Sequence, residues 1–464
     1  MTPRILVASL ATAGLALAVG QMPATALPGE GGTSTMQAGP DVIVGSIPDV
    51  TKYGANTVNG TVIMAYAFGS TSCNLGTQEL DWYAGTSNHP VIPQNAYRIK
   101  NGRIEQIGVG WMKHGFCALQ ENLCGTCAPA GSGCPSLLGI GCSDPYTASL
   151  NGSQGDLGPR YEVNPSTGAF PATGSTTWPS IPSGQSTIGR RVQIKGEDLN
   201  PSLNAGAIYL AECQYVHPQD AAFGNDNNNA SYRQFTVGTL SGGAYNISLA
   251  GSTYLQRPAI YYWPAVSQTA VVNQTDAPDG RYLVGSNATQ NQDGTWHYEI
   301  AVYNMNSDAA ADSVTINVPY NVTVTNAGFK DVTYHSGEPY SGTDWNIAVA
   351  PGQVKWKCTQ TFAQNPNANA LRWATLYNFW FDATTGPTTG QAALGMFKTG
   401  GTIFGATKVP ADPCRMGDFD CNGVVDGADL GRLLQNWGGT GITDIDRNGV
   451  TNGADLGITI SLWG

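Results

Sequence analysis

Near its C-terminus the chain repeats one twelve-residue pattern. Asp418-Phe-Asp-Cys-Asn-Gly-Val-Val-Asp-Gly-Ala-Asp429 recurs 26 residues later as Asp444-Ile-Asp-Arg-Asn-Gly-Val-Thr-Asn-Gly-Ala-Asp455. Oxygen-bearing side chains stand at positions 1, 3, 5, 9 and 12 of both copies, and position 6 is Gly423 or Gly449. A hard cation such as calcium takes about six to eight oxygen ligands, one of them a backbone carbonyl from position 7, and the loop must turn sharply at position 6. The pattern therefore predicts two calcium ions. Copy one would bind through Asp418, Asp420, Asn422, the Val424 carbonyl, Asp426 and Asp429. Copy two would bind through Asp444, Asp446, Asn448, the Val450 carbonyl, Asn452 and Asp455. Magnesium fits less well, because it gives up water reluctantly and demands near-octahedral geometry.

Each loop opens a following helix. Leu430, Leu433, Leu434 and Trp437 fall at helical spacing after the first, and Leu456, Ile460 and Trp463 after the second. An EF-hand has a helix before its loop and a bidentate Glu at position 12. Here Pro413 and Gly417 precede the first loop, and Asp closes both. One half-hand cannot bury its apolar face alone, so the two copies are expected to pack together. Cys414 and Cys421 flank the start of the first loop and are placed to staple it. Residues 418–464 resemble a type I dockerin, an all-α calcium-folded module that plugs an exported protein into a cohesin-bearing scaffold. The resemblance implies a cohesin-like partner. In familiar dockerins positions 10 and 11 contact the cohesin; both copies here carry Gly-Ala, Gly427-Ala428 and Gly453-Ala454.

The N-terminus has the three parts of a secretory signal: Arg4, an apolar run from Ile5 to Val19, and a small-residue site at Ala24-Thr-Ala26. Residues 1–26 are predicted to be removed, leaving a secreted or cell-surface protein. The apolar run is short of the roughly 20 residues a membrane span needs, and no later stretch is long and apolar enough. Ten cysteines in an exported chain read first as disulfides. Five of them lie in 117–142, where Cys124-Gly-Thr-Cys127, with His114 upstream, also has zinc-knuckle spacing. No second C-x-x-C follows, so a stapled loop is expected over zinc.

Between these ends the chain reads as strands. Its 59 Gly and 27 Pro, with 12% charged residues, suit short strands and turns and argue against long charged helices. Residues 27–274 are predicted to be an irregular β-rich domain, with Gly224-Asn-Asp-Asn-Asn-Asn-Ala-Ser231 as a solvated turn. Alternation in Thr295–Tyr303, Ser313–Val318 and Trp373–Phe381 predicts an immunoglobulin-like β-sandwich over 275–400. Residues 401–417, with Pro410 and Pro413, read as a linker. The predicted fold class is thus mostly β with a small all-α module at 418–464. Blocks such as Trp111-Met-Lys-His-Gly-Phe116 and His335-Ser-Gly-Glu-Pro-Tyr340 are similar to uncharacterised exported proteins of planctomycete-type bacteria. That likeness implies a bacterial exported setting and carries no catalytic residues.

A net charge of −11 argues against a nucleic-acid partner. No H-E-x-x-H, G-x-S-x-G or phosphate-cradling loop is present in context. Lys113, His114 and Asp144 form the best catalytic constellation, with structural roles favoured for them. A glycosidase would draw its carboxylate pair from Glu105, Asp144, Asp156 and Glu162. Tyr261-Tyr-Trp263 and Trp345 are the candidates to stack on sugar rings, though aromatics in alternating strands are more often core. The expectation is an exported protein displayed through its calcium module, its β-domains acting in binding or structure, on polysaccharide in one version. A dockerin-bearing polysaccharide hydrolase and a surface adhesin are the alternatives.

Overall fold

The computed structural model describes residues 36–153, 158–171 and 181–464, the side chains of Lys113 and His114 excepted. The predicted signal segment 1–26 and Asp156 lie outside the described residues. The chain is mostly β, as its composition implies, and the two longest helices among the described residues, Gly427–Gln435 and Gly453–Ser461, lie at the C-terminus.

The first β region is built on an eight-stranded antiparallel sheet. Its central hairpin, Gln94–Lys100 with Arg103–Val109, sits beside the strand Ile208–Gln214. One face of this sheet buries Tyr66, Phe68 and Phe235 together with Val42 and Val44. The last two come from a three-stranded sheet of Val42–Ser46, Ser70–Asn74 and Ser143–Tyr146.

The sandwich has two five-stranded antiparallel sheets. Val271–Ala277, Gly280–Gln290, Trp296–Asn304, Thr375–Ala383 and Val324–Lys330 form one. Asn346–Ala350, Gln353–Lys357, Ala311–Asn317, Pro387–Met396 and Thr402–Pro410 form the other. Tyr298, Ile300 and Phe379 of the first sheet meet Val314, Trp356 and Leu394 of the second in a common core. The predicted linker 401–417 is corrected here, because Thr402–Pro410 pairs with Pro387–Gly395 along its length. Of its inward residues Ile403, Gly405, Thr407 and Val409, the middle two are small or polar and interrupt the apolar alternation that would mark a strand. A Cβ at Gly405 would meet Val284 at 2.6 Å, and bare backbone is what lets the sheets close there.

The two β regions share a core rather than standing apart. Ala301 and Tyr303 point away from the sandwich interior and pack with Tyr97, Ile99 and Ile104 of the hairpin. Trp296–Asn304 is accordingly buried on both faces over most of its length. Trp263, fully buried, seals the same layer and donates from Nε1 to the Gly102 carbonyl at 2.9 Å. Truncating an aromatic of this size in a packed core costs about 3–5 kcal/mol.

Candidate metal centre

The two C-terminal loops adopt the same backbone course. Gly423 and Gly449 at position 6 have φ of +91° and +94°, a conformation that a side chain disfavours. Position 4 is also left-handed in both, at Cys421 (φ 62°) and Arg447 (φ 56°). Cys414 and Cys421 form the predicted disulfide beside loop one.

The side chains converge in matching ways. Asp418, Asp420 and Asp429 bring carboxylate oxygens within 4.8 Å of one another, and Asp444, Asp446 and Asp455 do the same. Backbone donors hold each carboxylate. Asp418 accepts from the Asn422 and Gly423 N–H groups at 3.1 and 2.8 Å, and Asp444 from Asn448 and Gly449 at 3.1 and 3.0 Å. Asp429 takes Phe419, Asp420 and Asp426 N–H at 2.7, 3.2 and 2.9 Å. Asp455 takes Ile445, Asp446 and Asn452 at 2.6, 3.1 and 2.8 Å. Burial tends to raise the Asp455 pKa, but the Asn452, Asp446 and Ile445 donors outweigh it and hold the carboxyl below its usual range.

Positions 9 and 12 also start the helices. Asp426 caps Gly427–Gln435 by accepting from Ala428 N–H at 2.7 Å, and Asp429 reaches back to complete a capping box. Asn452 and Asp455 repeat this on Gly453–Ser461. A cap of this kind contributes about 1 kcal/mol, so the loop positions that carry ligand chemistry also anchor the helices. The two carboxylate triads can hold metal ions. Asn422, Asn448, Asp426, Asn452 and the carbonyls of Val424 and Val450, the other expected ligands, stand in the same loops. The copies differ at position 9, where the Asn452 amide Nδ2 donates to the Val450 carbonyl at 3.1 Å. A carboxylate at the equivalent Asp426 cannot donate.

The predicted apolar helix faces are only half realised. Leu433 is fully buried, whereas Leu434, Trp437, Ile460 and Trp463 are each about half exposed, at 52%, 50%, 54% and 52%. Thr459 replaces leucine at the position matching Leu433, so the module's interior is thinner than its sequence pattern suggested.

Elsewhere the sequence candidates separate. Cys124 pairs with Cys73, Cys127 with Cys142 and Cys117 with Cys134, which removes the thiolates a zinc knuckle needs. The expectation that all ten cysteines pair is corrected: Cys213 and Cys358 are buried free thiols. Glu105 meets Arg98 at 2.5 Å, Lys330 at 3.2 Å and Arg103 at 3.7 Å. Burial tends to raise its pKa, but Lys330 and Arg98 outweigh that and hold the carboxyl below its ordinary range. Asp144 lies on another sheet, and burial, only partly offset by the Leu119 N–H at 2.8 Å, pushes it up to about 7. Lys113 and His114 pair through their backbones with Ile92 and Val91. Trp263 and Trp345 are core residues, Trp345 stacking on Phe329, and neither offers a sugar platform.

Sequence reasoning missed the buried polar groups between the two β regions. Arg160, Glu212 and Asn229 are each almost fully buried there. A cleft of about 680 Å³ lies between the sandwich end at Asn317–Tyr320 and the C-terminal loops, with Arg415, Met416 and Arg447 on its walls.

Among the described residues no helix is long and apolar enough to cross a membrane. No protein-family model matches the chain, and no curated protein matches it. Several solved structures are distantly similar, among them the two that follow. The serine-rich repeat adhesion glycoprotein (Srr1) from Streptococcus agalactiae is 10% identical, with 76% of this chain and 89% of that chain covered at a TM-score of 0.19. The Amycolatopsis orientalis exo-chitosanase CsxA is 9% identical, with 74% of this chain and 25% of that chain covered at a TM-score of 0.15. At these scores neither likeness bears on the function.

Proposed function

We propose that this is an exported bacterial protein displayed or assembled through a calcium-dependent, dockerin-like module, its β regions acting in binding or structure. The observation that carries the reading is the duplication: two carboxylate triads, 26 residues apart, each held by the same backbone donors and each capping its own helix. Calcium supplies the positive charge that lets three or four carboxylates share one loop. The chain's own residues position the donors and start the helices.

The docking surface on this reading is the exposed pair Leu434–Trp437 and its repeat Ile460–Trp463. Gly427-Ala428 and Gly453-Ala454 offer little side chain to a cohesin-like partner, so the helix aromatics would supply the grip. The test is a pull-down from the surface fraction of the producing organism, with calcium and with chelator, alongside a polysaccharide panel. A calcium-dependent partner that is lost in Asp418→Ala/Asp444→Ala supports the reading. Capture unchanged by chelator and by those substitutions overturns it.

A further inference from the structure

The outermost strand of the second sandwich sheet, Asn346–Ala350, is exposed along its whole length and carries no charge. It forms a hairpin with Gln353–Lys357 through the two-residue turn Pro351-Gly352, where Gly352 takes a φ of +88°. The register fixes which way its backbone groups point. Val318 N–H donates to the Gly352 carbonyl at 2.9 Å, so Gly352, Val354 and Trp356 turn their backbone groups toward Ala311–Asn317. Gln353, Lys355 and Lys357 then face the edge strand and bond to Ala350, Ala348 and Asn346. Alternation leaves the N–H and C=O groups of Ile347 and Val349 pointing outward, and no backbone group among the described residues meets them.

The side chains are also arranged for a partner. Ile347 and Val349 point the same way as their ladder partners Trp356 and Val354, which are fully buried in the sandwich core. They overhang the end of that core and remain 40% and 49% exposed. Beside Val349 lies an apolar hollow of about 200 Å³, with Val318, Tyr320, Val322 and Val324 on its walls. Free strand edges are usually blunted by charge, proline or a bulge. Val324–Lys330, an edge of the facing sheet, has a bulge between Thr325 and Gly328 and a terminal lysine. Asn346–Ala350 has neither.

A row of free backbone groups is matched by another extended strand, and this strand's own sequence fits. In an antiparallel pair the outward-facing residues bond to one another. Two copies centred on Ala348 place Ile347 opposite Val349 of the second copy, and Val349 opposite its Ile347, which satisfies every outward group of both edges. Centring on Val349 would instead set Ile347 against Pro351, which has no N–H to give. Ala348 meets its own image at the axis in a non-hydrogen-bonded pair, where Cα atoms approach to about 4.5 Å and a small side chain fits. The four apolar side chains fall on one face and extend the sandwich core. The chain carries a net charge of −11, yet no charged residue of this strand meets its image.

We propose that Asn346–Ala350 is a self-association edge: two copies of the chain join by antiparallel pairing of this strand about a twofold axis at Ala348. Such pairing is isologous and closes at two copies. A five-residue edge makes an interface below the roughly 1,200 Å² of standard complexes, so the dimer is weak and reversible.

The test is sedimentation velocity of the full chain at about 0.01–0.5 mM, the range in which a weak dimer dissociates, with calcium and with chelator. A reversible monomer–dimer equilibrium is expected in both. Ala348→Lys, at an exposed position, sets two ammonium groups against each other at the axis. It should weaken the dimer at least tenfold with little change in Tm. Ala348→Cys should cross-link to its image under mild oxidation, because the pair lies within disulfide reach. Asn346→Cys, about 14 Å from its image at ~3.4 Å per residue, should not. A chain that stays monomeric, a dimer that Ala348→Lys leaves intact, or equal cross-linking at both positions overturns the proposal. A dimer that chelator abolishes does so too, because it places the contact in the C-terminal module.

Discussion

Arg160 and Glu212, a buried cation and a buried carboxylate, are joined through a single amide. Asn95 accepts from Arg160 Nη2 at 2.8 Å on its oxygen and donates to Glu212 Oε1 at 2.9 Å from its nitrogen. Tyr97 and Tyr303 add hydroxyl donors to the same carboxylate oxygen at 2.8 and 3.1 Å. Arg160 also donates to the carbonyls of Gly110 and Ala374, so one guanidinium ties the first β region to the sandwich. Such a network is stable only while every member is satisfied.

The first prediction follows from that closure. Glu212→Ala leaves two tyrosine hydroxyls, the Asn95 amide and the Ala259 N–H without their acceptor. Each buried donor left unsatisfied costs about 1–3 kcal/mol. Glu212→Gln, which keeps an acceptor oxygen, should cost clearly less. Urea unfolding of both variants checks this, and a wild-type midpoint for Glu212→Ala would mean the network contributes nothing.

A second prediction concerns pH. Asp144 is pushed up to about 7 by burial, against an ordinary carboxyl value of 3.8. Between these values the folded chain holds a proton that the unfolded chain has released. Stability therefore falls as pH rises through the window, by at most about 1.4 kcal/mol per unit. His297 acts in the same direction. Its hydrogen bonds to Glu299 at 2.9 Å and to Asp382 at 2.5 Å outweigh burial and raise its pKa. That stabilisation is fully present below its unfolded value of about 6.5 and is lost as pH rises through the folded one. Asp144→Asn should flatten the decline between pH 4 and 7, and His297→Gln the decline above it. Denaturation midpoints across pH 4–8 that fall equally in wild type and variants would contradict both assignments.

The C-terminal loops were legible because their information is local: ligand types, glycine and cap positions all fall within twelve residues. The sandwich strands were legible for the same reason, since Tyr298, Ile300 and Val302 alternate toward one core. Their second face was not. Ala301 and Tyr303 find partners at Tyr97 and Ile104, some 200 residues earlier, and no periodicity encodes a contact at that distance. Thr402–Pro410 escaped because Gly405 and Thr407 interrupt the apolar face that Ile403 and Val409 otherwise make. The Asn-rich loop was misread because polar composition normally marks solvent, and Asp220 and Asn229 are buried by their partners rather than by their own hydropathy.

A third prediction is chemical. Four disulfides account for eight cysteines, and burial raises the pKa of Cys213 and Cys358, keeping both thiols protonated. The native protein should therefore react with no thiol reagent, and the denatured, unreduced protein should react twice. Mapping of disulfide-linked peptides should recover Cys73–Cys124, Cys117–Cys134 and Cys127–Cys142. Bound zinc with free thiols in 117–142 would restore the knuckle reading.

The final prediction uses the difference between the two loops. Copy one offers four aspartates, Asp418, Asp420, Asp426 and Asp429, and copy two offers three, with Asn452 in place of the fourth. Fewer carboxylates mean weaker attraction for a divalent ion. Asn452 also occupies the Val450 carbonyl with its own amide, and that carbonyl must turn free before it can ligate a metal. Both effects favour copy one. Calorimetric titration of the full chain should then resolve a tighter event, lost in Asp418→Ala, and a weaker one, lost in Asp444→Ala. Asn452→Asp removes both handicaps: it restores the fourth carboxylate and has no N–H to donate to Val450. Its side chain still accepts from Ala454 N–H, so the helix cap survives. The weaker event should tighten about tenfold or more in this variant, consistent with affinity set by ligand charge count. If Asn452→Asp leaves the second affinity unchanged while Asp444→Ala abolishes it, position 9 does not reach the ion, directly or through water, and the ligand set for both loops must be redrawn.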